Sequence, residues 1–143
     1  MSLHLIKLCV GADSIADLER YRSEAAAAQQ RLGQAVESLH TTRMFPKRAE
    51  ELLDGGSLYW VIKGQIAARQ VLTAIRPFTG ADGIKRCDLV MELAVIPVVP
   101  RPCRPFQGWR YLRAEDAPPD LGGADTGQMP EELRRELATM GLL

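Results

Sequence analysis

The chain has 143 residues and no formal net charge at pH 7; 46% of its residues are hydrophobic and 25% are charged, as is typical of one globular domain with a hydrophobic core. No apolar run reaches the roughly 18–20 residues of a membrane span, and the three cysteines form no Cys-x-x-Cys pair, which argues against a disulfide framework and a zinc knuckle. We therefore expect a cytoplasmic protein that has no membrane partner and requires neither a metal nor a cofactor.

The first part of the chain predicts a strand followed by a helix. Residues 2–10 place apolar side chains on both faces of a strand, so both faces should be covered. Ser14, with Asp17 three residues later, resembles a capping box at the start of a helix over residues 15–32. One apolar stripe on that helix predicts packing against a sheet. The stripe consists of Leu18, Tyr21, Ala25, Ala28 and Leu32.

Residues 40–48 combine a histidine with several cations. Pro46 suits the first turn of a helix over residues 47–53. Lys47 and Arg48 then lie at the N-terminus of this helix, where their charge opposes the helix macrodipole. Such a local conflict is expected where an anion is bound, although exposed basic residues are often only solvated. Both interpretations stay open.

Three strands are expected in the middle of the chain, joined as an antiparallel meander. Residues 58–63 alternate cleanly, with the larger apolar side chains on one face. Residues 65–75 fit a helix or a strand, and we favour a strand over residues 69–76. A turn at residues 79–83 precedes a long strand over residues 84–99. These elements predict an α+β fold with a mainly antiparallel, partly closed sheet.

Prolines recur every two or three residues from Pro97 to Pro105 and indicate an extended segment at an edge of the sheet. A last strand is expected over residues 104–112. We assign residues 1–121 to a single α+β domain that begins with the strand-helix unit. Residues 122–143 are expected to form a flexible link and a C-terminal helix over residues 130–140.

The charges are unevenly distributed, although they sum to zero. Residues 40–113 hold twelve basic and six acidic residues, whereas residues 114–143 hold two basic and seven acidic ones. A basic middle of this kind can mark a surface for nucleic acid or for another anion. Equally, the acidic tail can fold back and neutralise the basic middle within the monomer.

Aromatic rings beside cations favour a binding domain for RNA or a nucleotide-like anion, because cations hold the backbone of a single strand and aromatic faces stack on its bases. Trp60 shares a face with Leu58 and Ile62, which favours a place in the core. Trp109 fits the core and a binding site equally well. Arg110 follows it on the same expected strand, so the two side chains should point to opposite faces of the sheet. The candidate ligand-binding residues are Arg43, Lys47, Arg48, Lys63, Arg69, Arg76, Arg104, Gln107, Trp109 and Arg110.

Two alternatives to a binding domain stay open. His40 is the best candidate for a general base in a small enzyme that acts on a phosphate ester, with Arg43 and Lys47 holding the anion. Cys103 is a weaker nucleophile candidate, whose pKa the flanking arginines could lower. The third class is an assembly module, in which the proline-rich segment and the C-terminal helix pack on a second copy as a homodimer.

Four stretches carry a resemblance to a known family. They are His40-Thr41-Thr42-Arg43, Lys47-Arg48-Ala49, residues 52–64 and residues 104–112. They resemble an uncharacterised alphaproteobacterial family, domain of unknown function 1489, over roughly residues 2–121. This resemblance implies no activity and no catalytic residue.

A second resemblance concerns the fold alone. A short helix that ends in glycine, the stretch Tyr59-Trp60-Val61-Ile62-Lys63, a meander and a late extended segment resemble the PUA-like domains, which include the ASCH and EVE domains. This resemblance implies a small pseudo-barrel and an RNA or modified-base ligand. The expected ligand rests on the likeness of fold alone and on no site residue.

Overall fold

Seven strands and two α-helices form in residues 3–121, the part of the chain that the structure, a computed structural model, describes. In chain order they are β1 (Leu3–Leu8), α1 (Ile15–Arg31), β2 (Ser38–Thr42), α2 (Ala49–Leu52), β3 (Ser57–Ile62), β4 (Gln65–Thr79), β5 (Lys85–Met91), β6 (Ile96–Pro102) and β7 (Trp109–Arg113). The link and helix expected over residues 122–143 lie outside the described residues. Within residues 3–121, no helix is long and apolar enough to cross a membrane.

The strands form one sheet in the order β2-β5-β4-β3-β1-β7, and β6 pairs with β4 beside that path. The pair β1 and β3 is parallel, and the other pairs are antiparallel. The expected α+β fold with a mainly antiparallel sheet is therefore confirmed. The expected partial closure is wrong, because β2 and β7 end the sheet without pairing with each other.

The length of β4 explains why the sheet branches. Its first part, from Gln65 to Arg69, pairs with β3 on one side and with β6 on the other. A bulge between Leu72 and Ala74 then bends the strand, and its last part pairs with β5. Residues 65–75, which fit a helix or a strand in the sequence, thus belong to a strand that is longer than expected.

The long strand expected over residues 84–99 is two strands, β5 and β6, so that prediction is wrong. Between them Leu93 is 46% exposed. Glu92, the residue after β5, has both of its backbone groups bonded to β4. Its N–H donates to the carbonyl of Val71 (2.9 Å), and its carbonyl accepts from Nε2 of Gln70 (2.9 Å).

Helix α1 begins where the sequence predicts. Ser14 is its N-cap, and the Ser14 hydroxyl accepts a hydrogen bond from the backbone N–H of Asp17 (3.2 Å). Ile15 and Leu18 are its buried residues, whereas Tyr21 is 38% exposed. The apolar stripe therefore packs against the sheet mainly through the first turn.

Both faces of the sheet are buried near its centre, where all six residues of β3 are buried. The inner face is covered by Leu18 of α1 and Leu52 of α2, and the outer face packs with Val98 of β6. Leu58 and Trp60 share the inner face, as the sequence predicts. The inner-face core comprises Leu3, Leu5, Leu18, Leu52, Leu58, Trp60, Leu72, Cys87, Leu89, Met91 and Trp109.

Gly56 lies where α2 and β1 come closest. A Cβ at this position would be 2.3 Å from the carbonyl oxygens of both Leu3 and Leu52. The N–H of Gly56 donates to Leu52 and its carbonyl accepts from Leu72, both at 2.9 Å. Glycine is therefore required for this contact between α2 and the sheet.

We expect Gly56→Ala to lower the free energy of unfolding by about 1–3 kcal/mol or more, because backbone atoms rather than a flexible side chain must move. Urea unfolding followed by circular dichroism measures the change. The matched control is Gly33→Ala, where a Cβ meets no atom within 4 Å and only the positive φ is strained. A loss for Gly56→Ala no larger than the loss for Gly33→Ala would contradict the tight contact.

The two-residue turn Lys63-Gly64 joins β3 to β4. Its φ angles are 50° at Lys63 and 76° at Gly64, and positive values at both positions are those of a type I′ turn. Within residues 3–121, Lys63 is the one residue other than glycine with a positive φ. The strand expected over residues 58–63 thus ends one residue earlier. Lys63 adopts the left-handed backbone conformation, which is energetically unfavourable for lysine.

We expect Lys63→Asn to raise the free energy of unfolding by about 0.5–1 kcal/mol, because asparagine tolerates the left-handed conformation better than lysine. Lys47→Asn is the control, since it removes the same charge from another exposed lysine without a positive φ. Urea unfolding should give a higher midpoint for Lys63→Asn alone. Equal midpoints for the two variants would count against strain at Lys63.

Candidate functional site

Arg69, a predicted binding residue, is held by a carboxylate from the far end of the described chain. Its Nε and Nη2 donate to Oδ1 and Oδ2 of Asp120, both at 2.8 Å, and its Nη1 donates to the hydroxyl of Ser57 at 2.8 Å. The bidentate pair raises the pKa of Arg69 and lowers the pKa of Asp120. Arg69 therefore connects strand β4 with the segment that follows β7.

Two further predicted arginines are paired on the surface. Arg76 makes a bidentate pair with Glu37, with distances of 2.8 and 2.9 Å. Arg48 hydrogen-bonds with Glu51, and its guanidinium carbon lies 5.6 Å from the centroid of the Tyr111 ring. A ligand would have to compete with these partners for both guanidinium groups.

The helix expected over residues 47–53 is only one turn long, α2, and has Arg48 as its N-cap. Lys47 precedes it and is exposed. Glu50 and Glu51 lie in its first turn, where negative charge is favourable. The expected conflict between the cations and the helix macrodipole is therefore offset locally and is not by itself a sign of an anion site.

A separate group of predicted residues lies in the turn between β3 and β4, in the segment between β6 and β7, and at the start of β7. The N–H of Cys103 donates to the carbonyl of Gly64 at 2.8 Å, which joins these two segments. The guanidinium carbon of Arg110 lies 4.6 Å from the centroid of the Phe106 ring, a cation–π contact on the outer face. The predicted residues of this group are Lys63, Arg104, Gln107 and Arg110.

The thiol of Cys103 does not have the low pKa that its sequence neighbours suggest. Burial raises the pKa of Cys103, and the nearby charge of Arg110 offsets only part of that effect. Arg101, which flanks Cys103 in sequence, instead donates to the carbonyl of Asp116. A thiol with a raised pKa is mostly protonated at neutral pH and is a poor nucleophile.

His40 lies in β2, and its imidazole contacts the Trp60 ring edge-on, with the centroids 5.6 Å apart. Burial, together with the smaller effects of the charges of Lys7 and Arg22, lowers the pKa of His40 to about 4. The carboxylate of Asp88 opposes this shift. A group with so low a pKa is a weak general base at neutral pH.

We expect the free energy of unfolding to fall as the pH drops from about 6.5 towards 4. The pKa of His40 is lowered in the folded chain from its ordinary value of 6.5 to about 4, so the unfolded chain binds the proton first and is favoured. Urea unfolding at pH 7 and pH 5 should show a smaller loss for His40→Gln than for the wild type. Equal losses would contradict burial of a neutral His40 ring.

The segment after β2 is fixed in place by the carbonyl oxygen of Met44. This oxygen accepts a hydrogen bond from Nε1 of Trp109 (2.9 Å) and a longer one from Sγ of Cys87 (3.5 Å). Nearby, the backbone N–H of Arg48 donates to the hydroxyl of Tyr111 (3.1 Å). The segment therefore bridges β5 and β7, and the ring of Trp109, 9% exposed, belongs to the core.

Beside this anchor, the described chain has an aromatic and basic groove. Its volume is about 510 Å³, within the range of small-molecule sites. Phe45 and Phe78 line it, and they are 47% and 40% exposed. The groove is lined by Arg43, Phe45, Pro77, Phe78, Thr79, Lys85 and Arg86.

The hairpin of β4 and β5 supplies one wall of the groove. Strand register sets Phe78 opposite Arg86 and Thr79 opposite Lys85. Arg86 is oriented by a bidentate pair with Asp82 (2.8 and 2.9 Å), which lowers the pKa of Asp82 to about 2. This wall is therefore held in a defined position by pairing within the hairpin.

The other wall comes from the segment that Met44 anchors, and it carries Arg43 and Phe45. Within residues 3–121, the side chains of Arg43 and Lys85 make no hydrogen bond or ion pair, so both charges are available to a ligand. Two half-exposed rings in the same groove as such cations can stack on a flat ligand while the cations bind its negative charge.

Of the predicted residues, only Arg43 lies in this groove. Sequence reasoning missed Phe45, Phe78, Lys85 and Arg86. A usable signal existed for three of them, because Phe78 and the Lys85-Arg86 pair flank the turn at residues 79–83 and a hairpin brings such residues together. Phe45 carries no comparable signal, since its position depends on the long-range anchor of Met44.

Within residues 3–121, no three His, Cys, Asp or Glu side chains are grouped so that they could hold a metal ion. No curated protein and no solved structure matches the chain. One family model matches residues 5–143, and its description is a protein of unknown function, DUF1489. The match spans almost the whole sequence and includes each of the stretches that carry the resemblance. The chain belongs to the DUF1489 family.

Proposed function

We propose that this protein binds single-stranded RNA, or a nucleotide-like anion, in the aromatic and basic groove. The observation that carries the proposal is the pair of half-exposed rings, Phe45 and Phe78, beside two cations without partners in the described chain, Arg43 and Lys85. Aromatic stacking and cationic contacts to phosphate are the two interactions by which single strands are held.

The stacking contribution is large enough to matter. A base stacked on one aromatic ring contributes about 1–3 kcal/mol, largely independent of which base it is. Arg43 and Lys85 would add salt-dependent contacts with the phosphate backbone. The groove accordingly favours binding with little sequence preference. The fold-level resemblance to PUA-like domains also implies an RNA ligand, but the open sheet lacks the pseudo-barrel that this resemblance implies. A cytoplasmic location, which the sequence leads us to expect, is consistent with an RNA ligand.

The enzyme alternative has weaker support. His40 is not among the residues that line the groove, and its low pKa makes it a poor base at neutral pH. Cys103 has a raised pKa and lies in the other group of residues. Activity against a phosphate ester that disappears in a folded His40→Ala variant would favour the enzyme.

An assembly module has one specific observation in its favour. Several apolar side chains at and beside the groove are more than a third exposed, and a second copy could cover them as a homodimer. Light scattering at high protein concentration tests this alternative, and a monomer would remove it. These side chains are Met44 (44%), Phe45 (47%), Phe78 (40%) and Ile84 (36%).

We expect Phe78→Ala to weaken binding of a labelled single-stranded RNA about 5- to 150-fold, which is the stacking free energy expressed as an affinity. Arg43→Gln should weaken binding and reduce the slope of log affinity against log salt by about 0.7. Fluorescence anisotropy at two salt concentrations measures both effects. Competition by a mononucleotide separates a nucleotide ligand from a longer strand.

Matched controls come from α1. Tyr21→Ala removes an exposed ring and Arg20→Gln an exposed cation, both outside the groove. Neither variant should change the affinity for RNA more than about twofold. Wild-type protein that binds neither RNA nor mononucleotide at low salt, or groove variants that bind like the controls, would refute the proposal.

A further inference from the structure

A second group of polar side chains lies on the inner face, around the buried ring of Trp60. Strand register sets Lys7 of β1 opposite Trp60. The imidazole of His40 contacts the same ring edge-on at 5.6 Å, and the guanidinium carbon of Arg22 lies 5.8 Å from its centroid. Two cations and one histidine therefore surround a single aromatic ring between α1 and the sheet.

These groups have unused hydrogen-bonding nitrogens. Nη1 of Arg22 donates to the carbonyl of Leu39 (2.9 Å) and more weakly to the hydroxyl of Ser38 (3.5 Å). Its Nε is buried without a partner, and so is Nε2 of His40. Within residues 3–121, the ammonium group of Lys7 makes no hydrogen bond or ion pair.

Glu19 lines a cavity together with Arg22 but makes no ion pair with it in the described chain. The acids whose charges act on Cys9 and His40, Asp17 and Asp88, have other partners. Asp17 pairs with Arg20 (3.1 Å) and accepts from the N–H of Asp13 (3.0 Å). Asp88 accepts from the hydroxyl of Thr41 (2.6 Å). The described part of the cluster thus holds two positive charges without a carboxylate bound to either.

An uncompensated positive charge that is partly buried is costly, by several kcal/mol for each ion that is fully desolvated. Burial lowers the pKa of Lys7 and of Arg22 in the described chain, which reflects that cost. Burial also raises the pKa of the neighbouring Cys9 thiol, so this group stays neutral. A bound anion would supply the missing negative charge.

We propose that a small oxyanion, a phosphate or a carboxylate, binds between α1 and the inner face, where Lys7, Arg22 and Nε2 of His40 converge on Trp60. Lys7, Arg22 and His40 are each partly exposed, although the two nitrogens without partners are buried. This site is separate from the groove, since none of its residues lines that surface.

The direct test is a titration of the two histidines by NMR in the full chain, with inorganic phosphate or acetate added at constant ionic strength. An anion beside His40 favours the imidazolium form, so its pKa should rise from about 4 by roughly one unit or more. His4 is the internal control, because its Nδ1 accepts from the N–H of Ser57 (3.0 Å) in another part of the core. Its pKa should not change.

The response to each anion identifies the chemistry. A shift of His40 with phosphate alone assigns a phosphate site, a shift with acetate alone assigns a carboxylate site, and a shift with both assigns a general oxyanion site. No shift at His40, or equal shifts at both histidines, would overturn the proposal.

Variants give an independent readout. Lys7→Met should raise the melting temperature in phosphate-free buffer, because it removes a buried charge, and should weaken phosphate binding at least tenfold. A purely structural lysine predicts a lower melting temperature instead. Arg31→Gln, which removes an exposed cation in the last turn of α1, should respond to phosphate like the wild type. Phe78→Ala should keep the response even if it abolishes RNA binding. Unchanged phosphate affinity in Lys7→Met would refute the site.

Discussion

The groove depends on the hydrogen bonds that the carbonyl oxygen of Met44 accepts. It accepts from Trp109 and from Cys87, and so connects β7 and β5, which are far apart in the sheet. One such hydrogen bond contributes about 1 kcal/mol net, but its loss would leave the indole N–H of Trp109 unsatisfied in the core. The segment that carries Arg43 and Phe45 is therefore held against the sheet although it has no regular structure.

A buried hydrogen-bond network gives the rest of the sheet its shape. The side chain of Gln70, fully buried, accepts from Nε1 of Trp60 (3.0 Å) and donates to the hydroxyl of Ser38 (3.0 Å) and the carbonyl of Glu92. It thereby joins β3, β4, β2 and the chain after β5. Because each of these polar groups is satisfied, the network favours one arrangement of the strands. It also fixes the Trp60 ring, around which the inner cluster forms.

Much of the fold could be predicted from local patterns in the sequence. The N-cap at Ser14, the alternation along β3 and the inner-face position of Trp60 all follow from neighbouring residues. The break between β5 and β6 does not, since it depends on the long-range bonds of Glu92 to β4. The branching of β4 was not predicted for the same reason, because no local pattern in the sequence indicates that one strand has two different neighbours on one side.

The candidate site was less predictable than the fold because charge pairing is a long-range property. Arg69 and Arg76 looked like free cations, yet their partners, Asp120 and Glu37, lie 51 and 39 residues away. Arg43 keeps its charge unpaired within residues 3–121 and lies in the groove. The rings that complete the groove come from separate parts of the chain and meet only in the folded protein.

We propose that single-stranded RNA binds in the groove between Arg43 and Phe78 of this DUF1489 protein. The decisive experiment is chemical-shift mapping of the full chain with a short single-stranded RNA. We expect the largest amide shifts in residues 43–45, 77–79 and 85–86. Shifts confined to the residues around Lys63 and Arg104, or no shifts at low salt, would contradict it.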